Sequence, residues 1–174
     1  GSEMCIETGP ELAAQLIDDL TWLGLEWDEG PYYQHDRLDL YEDALRQLQD
    51  AGLTYPCFCT RAELHAASAP HASDGTPIYR GACRGLSADE ITRRSALRAP
   101  ATRLRVPTVD DLASDVIEFV DRTYGAQCEA LATECGDFLV RRSDGVFAYQ
   151  LAVVVDDARM GVTEVVRGSD LLSS

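Results

Sequence analysis

The apolar residues of the first fifty positions recur with the spacing of amphipathic helices. From residue 10 to residue 23 they predict a first helix, which Gly24 ends. A second helix is predicted from Leu38 to Gln49, with Asp36 as its capping residue and Gly52 as its terminator. The apolar face of the first helix comprises Leu12, Leu16, Ile17, Leu20 and Leu23.

The pattern changes between Thr54 and Gly85, where apolar periodicity is almost lost and three cysteines cluster among small residues. A segment of this kind cannot bury a hydrophobic core alone and needs a cross-link, such as a disulfide or a bound metal ion, to be stable. Regular structure resumes at Ser87-Ala88-Asp89-Glu90, a capping box that predicts a short helix ending near Leu97.

The second half of the chain alternates short apolar segments with turns. Residues 147–158 form a continuous apolar run, and its length with the following Met160-Gly161 favours a helix despite its three valines. Ser169 is expected to cap a further helix. Strands are predicted at Thr102–Val106, Val116–Val120, Phe138–Arg142 and Thr163–Val166. The order of elements indicates one domain interrupted by another.

Composition narrows the class of protein. Apolar residues make up 45% of the 174 positions and charged residues 26%, which is typical of globular domains. The sequence has no run long enough to span a membrane and no leader, so a cytoplasmic protein without membrane contact is expected. All 15 basic residues are arginine, which excludes a P-loop or a Schiff-base lysine within these residues.

The net charge of -15 argues against a general nucleic-acid binder, because neutralising phosphates requires clustered cations. A local basic strip is still compatible with this charge. It is either a phosphate contact or a solvated helix face. The strip consists of Arg93, Arg94, Arg98, Arg103 and Arg105.

Three of the six cysteines suggest a metal site, since a chain of this size without a leader has little use for disulfides. Zinc prefers four tetrahedral ligands, usually thiolate or imidazole, and a Cys-x-Cys pair with a returning loop can supply three. The three are Cys57, Cys59 and Cys83, and the fourth ligand is Tyr79, His65 or His71. Free buried thiols are the alternative interpretation. The remaining cysteines are interpreted as small buried or indifferent residues: Cys5, Cys128 and Cys135.

Tyr149 and Arg167 are candidate ligand-binding residues. Arg167 follows a predicted strand and precedes a predicted helix, where α/β sheets bind ligands, and its planar fork suits a carboxylate. A surface arginine and a half-buried tyrosine are the simpler interpretation. Asp156 and Asp157, at the end of the apolar run, are expected to make polar structural contacts.

Several strings resemble the class I glutamyl-tRNA synthetases and, most closely, their truncated relatives, the glutamyl-Q tRNA(Asp) synthetases. The resemblance covers nearly the whole chain from about residue 10. The strings are LGLEWDEGP (23–31), YPCFCT (55–60), GDF (136–138), RSDG (142–145), FAYQLAVVVDD (147–157), GVT (161–163) and VVRGSDLL (165–172).

The resemblance implies an α/β fold: a class I, Rossmann-type catalytic domain interrupted by a small zinc-bearing α+β insert. Its segments would be 3–53 (catalytic, helical), 54–142 (zinc-binding insert) and 143–174 (catalytic). It further implies a structural zinc ion and a glutamate site. The zinc ligands would be Cys57, Cys59, Tyr79 and Cys83, and the glutamate-binding residues Tyr149 and Arg167.

The implied activity is that of a ligase, expected as a monomer, that activates L-glutamate with ATP and Mg²⁺ and transfers it to the queuosine base of tRNA(Asp). The family's His-containing and Lys-containing phosphate loops are not found among these residues, so they are expected not to form the adenylate alone. Two alternatives stay open. They are a glutamyl-tRNA synthetase that charges the tRNA 3′ end, and a non-catalytic zinc-stapled module that binds RNA or protein.

Overall fold

The computed structural model describes residues 10–64, 78–108 and 116–169, and within them it contains five α-helices and five strands. A 3₁₀ turn, Gln34–Arg37, leads into the second helix, and a π-helical turn, Leu131–Cys135, precedes the last strand. The helices are α1 (Pro10–Trp22), α2 (Leu38–Asp50), α3 (Arg61–Leu64), α4 (Ala88–Ser95) and α5 (Tyr149–Met160). The strands are β1 (Thr54–Cys57), β2 (Ala101–Leu104), β3 (Val116–Asp121), β4 (Gly125–Ala130) and β5 (Leu139–Arg141).

The helices α1 and α2 confirm the apolar periodicity of the sequence, and α4 and α5 confirm the helices predicted from the capping box and from the length of the apolar run. At the start of α4, the Ser87 hydroxyl accepts a hydrogen bond from the backbone N–H of Glu90 at 3.3 Å, as a capping residue should. At the end of α5, Gly161 adopts a left-handed conformation with φ +68°, which glycine tolerates without strain. The assignment of Asp36 as the cap of α2 was wrong, because Asp36 lies inside the preceding 3₁₀ turn and Arg37 is the capping position.

The main sheet is antiparallel, with strand order β1-β2-β5. Its register places Tyr55 opposite Arg103 and Cys57 opposite Ala101. Pro56, which has no N–H to donate, is accommodated because β1 is an edge strand. The side chains of Tyr55 and Cys57 point to the same buried face, so β1 delivers the first cysteine of the cluster to the interior.

A separate hairpin pairs β3 with β4 in register from Val116 opposite Ala130 to Asp121 opposite Gly125. The Asp121 carboxylate closes its turn by accepting hydrogen bonds from the backbone N–H groups of Thr123 and Tyr124, at 2.8 and 2.7 Å. The strand β3 was predicted. The strand β4 was not, because its sequence, GAQCEA, lacks the apolar alternation that indicates a strand.

The prediction of a strand at Thr163–Val166 was wrong. These residues have no regular structure, and the Val166 side chain is 89% exposed. Within the described parts of the chain, no strand pairs with this segment, and a strand needs a neighbour to satisfy its backbone groups. The helix expected after Ser169 lies outside the described residues.

The principal core joins α2, β5, α5 and the segment just before α5 through six buried side chains. It draws on all three sequence segments expected from the resemblance, and their division into domains stays a prediction. The core residues are Tyr41, Leu45, Val140, Phe147, Leu151 and Ala152.

Over the described residues, no helix has both the length and the apolar character required to cross a membrane.

Candidate metal centre and ligand site

Three cysteine thiols from two separate chain segments meet in the interior. Cys57 ends β1, Cys59 follows it after one residue, and Cys83 arrives on the turn that precedes α4. The three Sγ atoms all lie within 4.8 Å of one another, and those of Cys59 and Cys83 are 3.6 Å apart. Cys57 and Cys83 are buried, and Cys59 is half-buried. The structure therefore brings together the three cysteines that the spacing predicted to lie close to one another.

The side chain of Tyr79 completes the group. Its phenolic oxygen lies 3.5 Å from the Sγ atoms of Cys57 and of Cys59, and it accepts a hydrogen bond from the backbone N–H of Cys83 at 2.8 Å. Among the candidates for a fourth ligand, the structure brings Tyr79 to the thiols. His65 and His71 lie outside the described residues.

Three of the six distances between these four atoms match those of a tetrahedral zinc site. With Zn–S of about 2.3 Å and Zn–O of about 2.0 Å, tetrahedral angles require S···S edges of about 3.8 Å and S···O edges of about 3.5 Å. The 3.6 Å between Cys59 and Cys83 and the two 3.5 Å contacts of Tyr79 agree with both edges. The donor set therefore fits a closed four-ligand site, which is the structural rather than the catalytic kind.

The thiols differ in acidity. Burial, the hydrogen bond with Cys83 and the neighbouring thiols raise the pKa of Cys59 to about 11, although the Tyr79 hydroxyl acts in the opposite direction. Burial disfavours ionisation of Cys83 as well, yet hydrogen bonds from Tyr79 and from the backbone of Phe58 leave its pKa below the ordinary value. Burial and the three surrounding cysteines raise the pKa of Tyr79. A cation at the centre would favour the ionised forms of all these groups.

Gly136 lets a distant chain segment support Tyr79. The two residues form a parallel bridge, and the next backbone N–H, of Asp137, donates to the Tyr79 carbonyl oxygen at 3.0 Å. A Cβ atom on Gly136 would lie 2.7 Å from that carbonyl oxygen and 2.8 Å from Cγ2 of Ile78, and the φ of Gly136 is +69°. Only glycine meets both conditions without displacement of the chain.

Two residues that the sequence did not single out for this site form its surroundings. The buried Asp137 carboxylate accepts hydrogen bonds from the Tyr55 hydroxyl, the Arg84 guanidinium and the backbone N–H of Val106. Arg103 packs on the Tyr79 ring and contacts Cys57. The sequence contains one weak indication that Arg103 belongs here: the alternation along β2 places its side chain on the buried face of the sheet.

The strip of arginines expected from the sequence is not one surface. Arg103 is buried in the sheet, whereas Arg93 and Arg94 lie on α4 and both pair with Glu90. The hypothesis of a single phosphate-binding strip therefore does not hold for Arg103, because a strand and a helix project their side chains in different directions. Of the scattered cysteines, Cys128 is exposed and Cys135 half-buried, while Cys5 lies outside the described residues.

Tyr149 and Arg167 lie side by side. Tyr149 begins α5, and the Arg167 guanidinium carbon is 5.9 Å from the centre of its ring. The Arg167 guanidinium also approaches the Asp157 carboxylate at 3.5 Å. Tyr149 is 38% exposed, so its ring is accessible to a ligand. The two candidate residues are thus close enough to contact one small acidic molecule, and Asp157 is a neighbour that the sequence did not assign to this site.

Asp156 has a structural role next to this pair. Its carboxylate accepts hydrogen bonds from the Arg37 guanidinium and the Tyr41 hydroxyl, both at 2.6 Å. Burial and the hydrogen bond to Asp156 raise the pKa of Tyr41, so the phenol stays protonated. The contacts connect α5 to α2 and to the turn before it, as expected for a helix end with polar structural contacts.

Comparison with known proteins places the chain among tRNA-related enzymes. Residues 7–174 match the family model described as tRNA synthetases class I (E and Q), catalytic domain. Glutamyl-Q tRNA(Asp) synthetases of Nitratidesulfovibrio vulgaris and Symbiobacterium thermophilum are each 50% identical to it, over 94% and 95% of this chain and 52% of their own length. Glutamate--tRNA ligase 1 of Halorhodospira halophila is 42% identical over 95% of this chain and 35% of its own length.

A solved structure agrees at the level of the fold. The crystal structure of a glutamate tRNA ligase from Elizabethkingia meningosepticum, in complex with its amino acid, superposes with a TM-score of 0.72 at 23% identity. The superposition covers 96% of this chain and 36% of that one. The chain spans about half the length of the two glutamyl-Q relatives named above.

Proposed function

The chain belongs to the class I tRNA synthetases for glutamate and glutamine, within their catalytic domain, and on that premise we propose that it is part of a ligase that activates L-glutamate with ATP. In this proposal Mg²⁺ accompanies the ATP, and the glutamyl group goes to the queuosine base of tRNA(Asp). The observation that carries the proposal is the 50% identity to glutamyl-Q tRNA(Asp) synthetases along almost the whole chain.

Recognition of glutamate is assigned to Tyr149 and Arg167. A guanidinium binds a carboxylate through two parallel hydrogen bonds, and a phenolic hydroxyl can donate a third. The proximity of the two side chains supports this assignment. Glutamine, whose amide lacks the negative charge, would leave Arg167 poorly paired, and an unpaired polar site rejects such an analogue strongly.

The thiol cluster is assigned a structural role in the same proposal. A zinc ion held by Cys57, Cys59, Tyr79 and Cys83 would join the end of β1 to the turn before α4. That junction would stabilise the segment from Thr54 to Gly85, whose sequence has almost no apolar periodicity. The free energy of metal binding adds to the free energy of folding because the site exists only in the folded state. The insert of residues 54–142 would then be a zinc-stabilised module of the catalytic domain.

Transfer of labelled glutamate by the protein from the complete reading frame tests the enzymatic proposal. The acceptors are tRNA(Asp) with queuosine, tRNA(Asp) without it, and tRNA(Glu). Labelling of the queuosine-containing tRNA(Asp) alone is expected. Equal labelling of both forms of tRNA(Asp) would overturn the queuosine assignment, and charging of tRNA(Glu) at its 3′ end would identify the glutamyl-tRNA synthetase alternative.

Metal analysis tests the structural proposal independently. One zinc ion per chain is expected by atomic emission, and removal of zinc with a chelator should lower the temperature of unfolding. A purified protein that is folded and contains no zinc, and that is not stabilised by adding it, would contradict the assignment of the thiol cluster.

A further inference from the structure

We propose that Arg103 is a positioning residue of the metal centre, which orients Tyr79 and Cys57 and offsets the negative charge that the thiolates bring to the ion. The proposal rests on the zinc site described above and deepens it. Arg103 itself contributes no ligand atom.

The Arg103 guanidinium contacts two proposed ligands at once. Its Nε–H donates to the Cys57 sulfur at 3.3 Å, and its central carbon lies 3.9 Å from the centre of the Tyr79 ring. Its Nη1–H donates to the backbone carbonyl oxygen of Asp137 at 2.6 Å. One edge of the planar group is thus directed at a sulfur, one face covers the tyrosine, and the far end is anchored to the chain. This arrangement restricts both ligand side chains to one orientation.

Burial makes the charge of Arg103 significant. The residue is 6% exposed, and a charged group removed from water is destabilising unless an opposite charge compensates it. The carboxylate of Asp137, whose backbone carbonyl oxygen binds Arg103, is already bound by Arg84, Tyr55 and the backbone of Val106. Three thiolates around a divalent ion would leave one net negative charge, and an ionised Tyr79 phenol would add a second; the Arg103 guanidinium donates to one of these sulfurs at 3.3 Å.

The strand register explains why Arg103 reaches the cluster. Arg103 is paired with Tyr55 across the β1-β2 ladder, two residues from Cys57 on the same buried face. Arg141 belongs to the same sheet but is directed elsewhere, toward Glu42 at 3.2 Å and the ring of Phe147. Arg141 therefore offers a matched control for an arginine that lies in the sheet without contacting the thiols.

The experiment compares R103M, R103K and R141M in the protein from the complete reading frame. Zinc affinity is measured by competition with a chromophoric chelator, and the thiolate-to-metal absorption bands are recorded after substitution with Co²⁺. For R103M a 10- to 100-fold weaker affinity and shifted Co²⁺ bands are expected, in the range typical of residues that orient metal ligands. R141M should stay within about twofold of wild type, because it leaves these contacts intact.

R103K keeps the proposal testable if R103M does not fold. Lysine retains the positive charge but lacks the planar fork that contacts the sulfur and the ring together, so a several-fold loss with shifted bands is expected. A wild-type affinity and spectrum in R103K and R103M would overturn the role of Arg103 while leaving the zinc site in place. A wild-type protein that binds no zinc would overturn the metal centre itself.

Discussion

The phenolic oxygen of Tyr79 lies 3.5 Å from the Sγ atom of Cys59. The two residues are twenty positions apart, and the same oxygen is equally distant from Cys57. A hydroxyl in this position either fills a place in the coordination shell of an ion or only hydrogen-bonds to the thiols.

Replacement of Tyr79 by phenylalanine removes the oxygen and keeps the ring that packs under Arg103. We expect Tyr79→Phe to weaken zinc binding by at least about tenfold, because one of four ligands is lost. Chelator competition measures the effect. Tyr124→Phe, which makes the same change at an exposed position of the β3-β4 turn, should leave the affinity unchanged. Equal affinities for all three proteins would mean that Tyr79 is not a ligand.

Zinc affinity should rise with pH. The pKa of Cys59 is raised to about 11 without metal, so its thiol is protonated at neutral pH and zinc must displace that proton. For each proton displaced, the apparent affinity rises about tenfold per pH unit below that pKa. Titration calorimetry between pH 6 and pH 8, in buffers of different ionisation enthalpy, counts the protons released. An affinity independent of pH would contradict binding through the thiolate of Cys59.

Replacement of Gly136 by alanine should disturb the metal centre from a distance. A new Cβ atom would overlap the Tyr79 carbonyl oxygen and Ile78, in addition to the cost of a positive φ. We expect about 2–4 kcal/mol of lost stability in denaturant unfolding, together with weaker zinc binding.

Gly125→Ala is the control for this change. Gly125 has a φ of +77° with nothing within 4 Å of its Cβ position, so only the conformational cost of about 1–2 kcal/mol applies. Zinc binding should be unaffected in Gly125→Ala. If both variants lost the same stability and both retained full zinc affinity, the close approach of Gly136 to Tyr79 would have no energetic importance.

Replacement of Arg167 by lysine should impair the use of glutamate. Lysine preserves the charge but loses the planar pair of donors, so we expect kcat/KM for glutamate in ATP–pyrophosphate exchange to fall by about 100-fold or more. Arg159→Lys, an equivalent change in the last turn of α5, should have little effect. The assay uses the protein from the complete reading frame. Unchanged kinetics in Arg167→Lys would remove Arg167 from the proposed glutamate site.

The helices and the grouping of the thiols could be predicted from the sequence because both depend on short-range regularities. Helical periodicity, the Ser87 cap and Gly161 place α1, α2, α4 and α5 to within a few residues. The spacing of Cys57, Cys59 and Cys83 was sufficient to expect the three side chains in one place. The resemblance selected Tyr79 from the three candidates for the fourth ligand, a choice that no spacing rule could make.

The tertiary structure decided what depends on contacts between distant segments. The segment 163–166 has the composition of a strand, yet it stays irregular since no described strand pairs with it. Arg103 looks like part of an exposed basic strip, and only its register in β2 directs it against Tyr79 and Cys57. Gly136 and Asp137 contact the surroundings of the thiols from more than fifty residues away in the sequence. Local sequence patterns do not predict such a long-range contact.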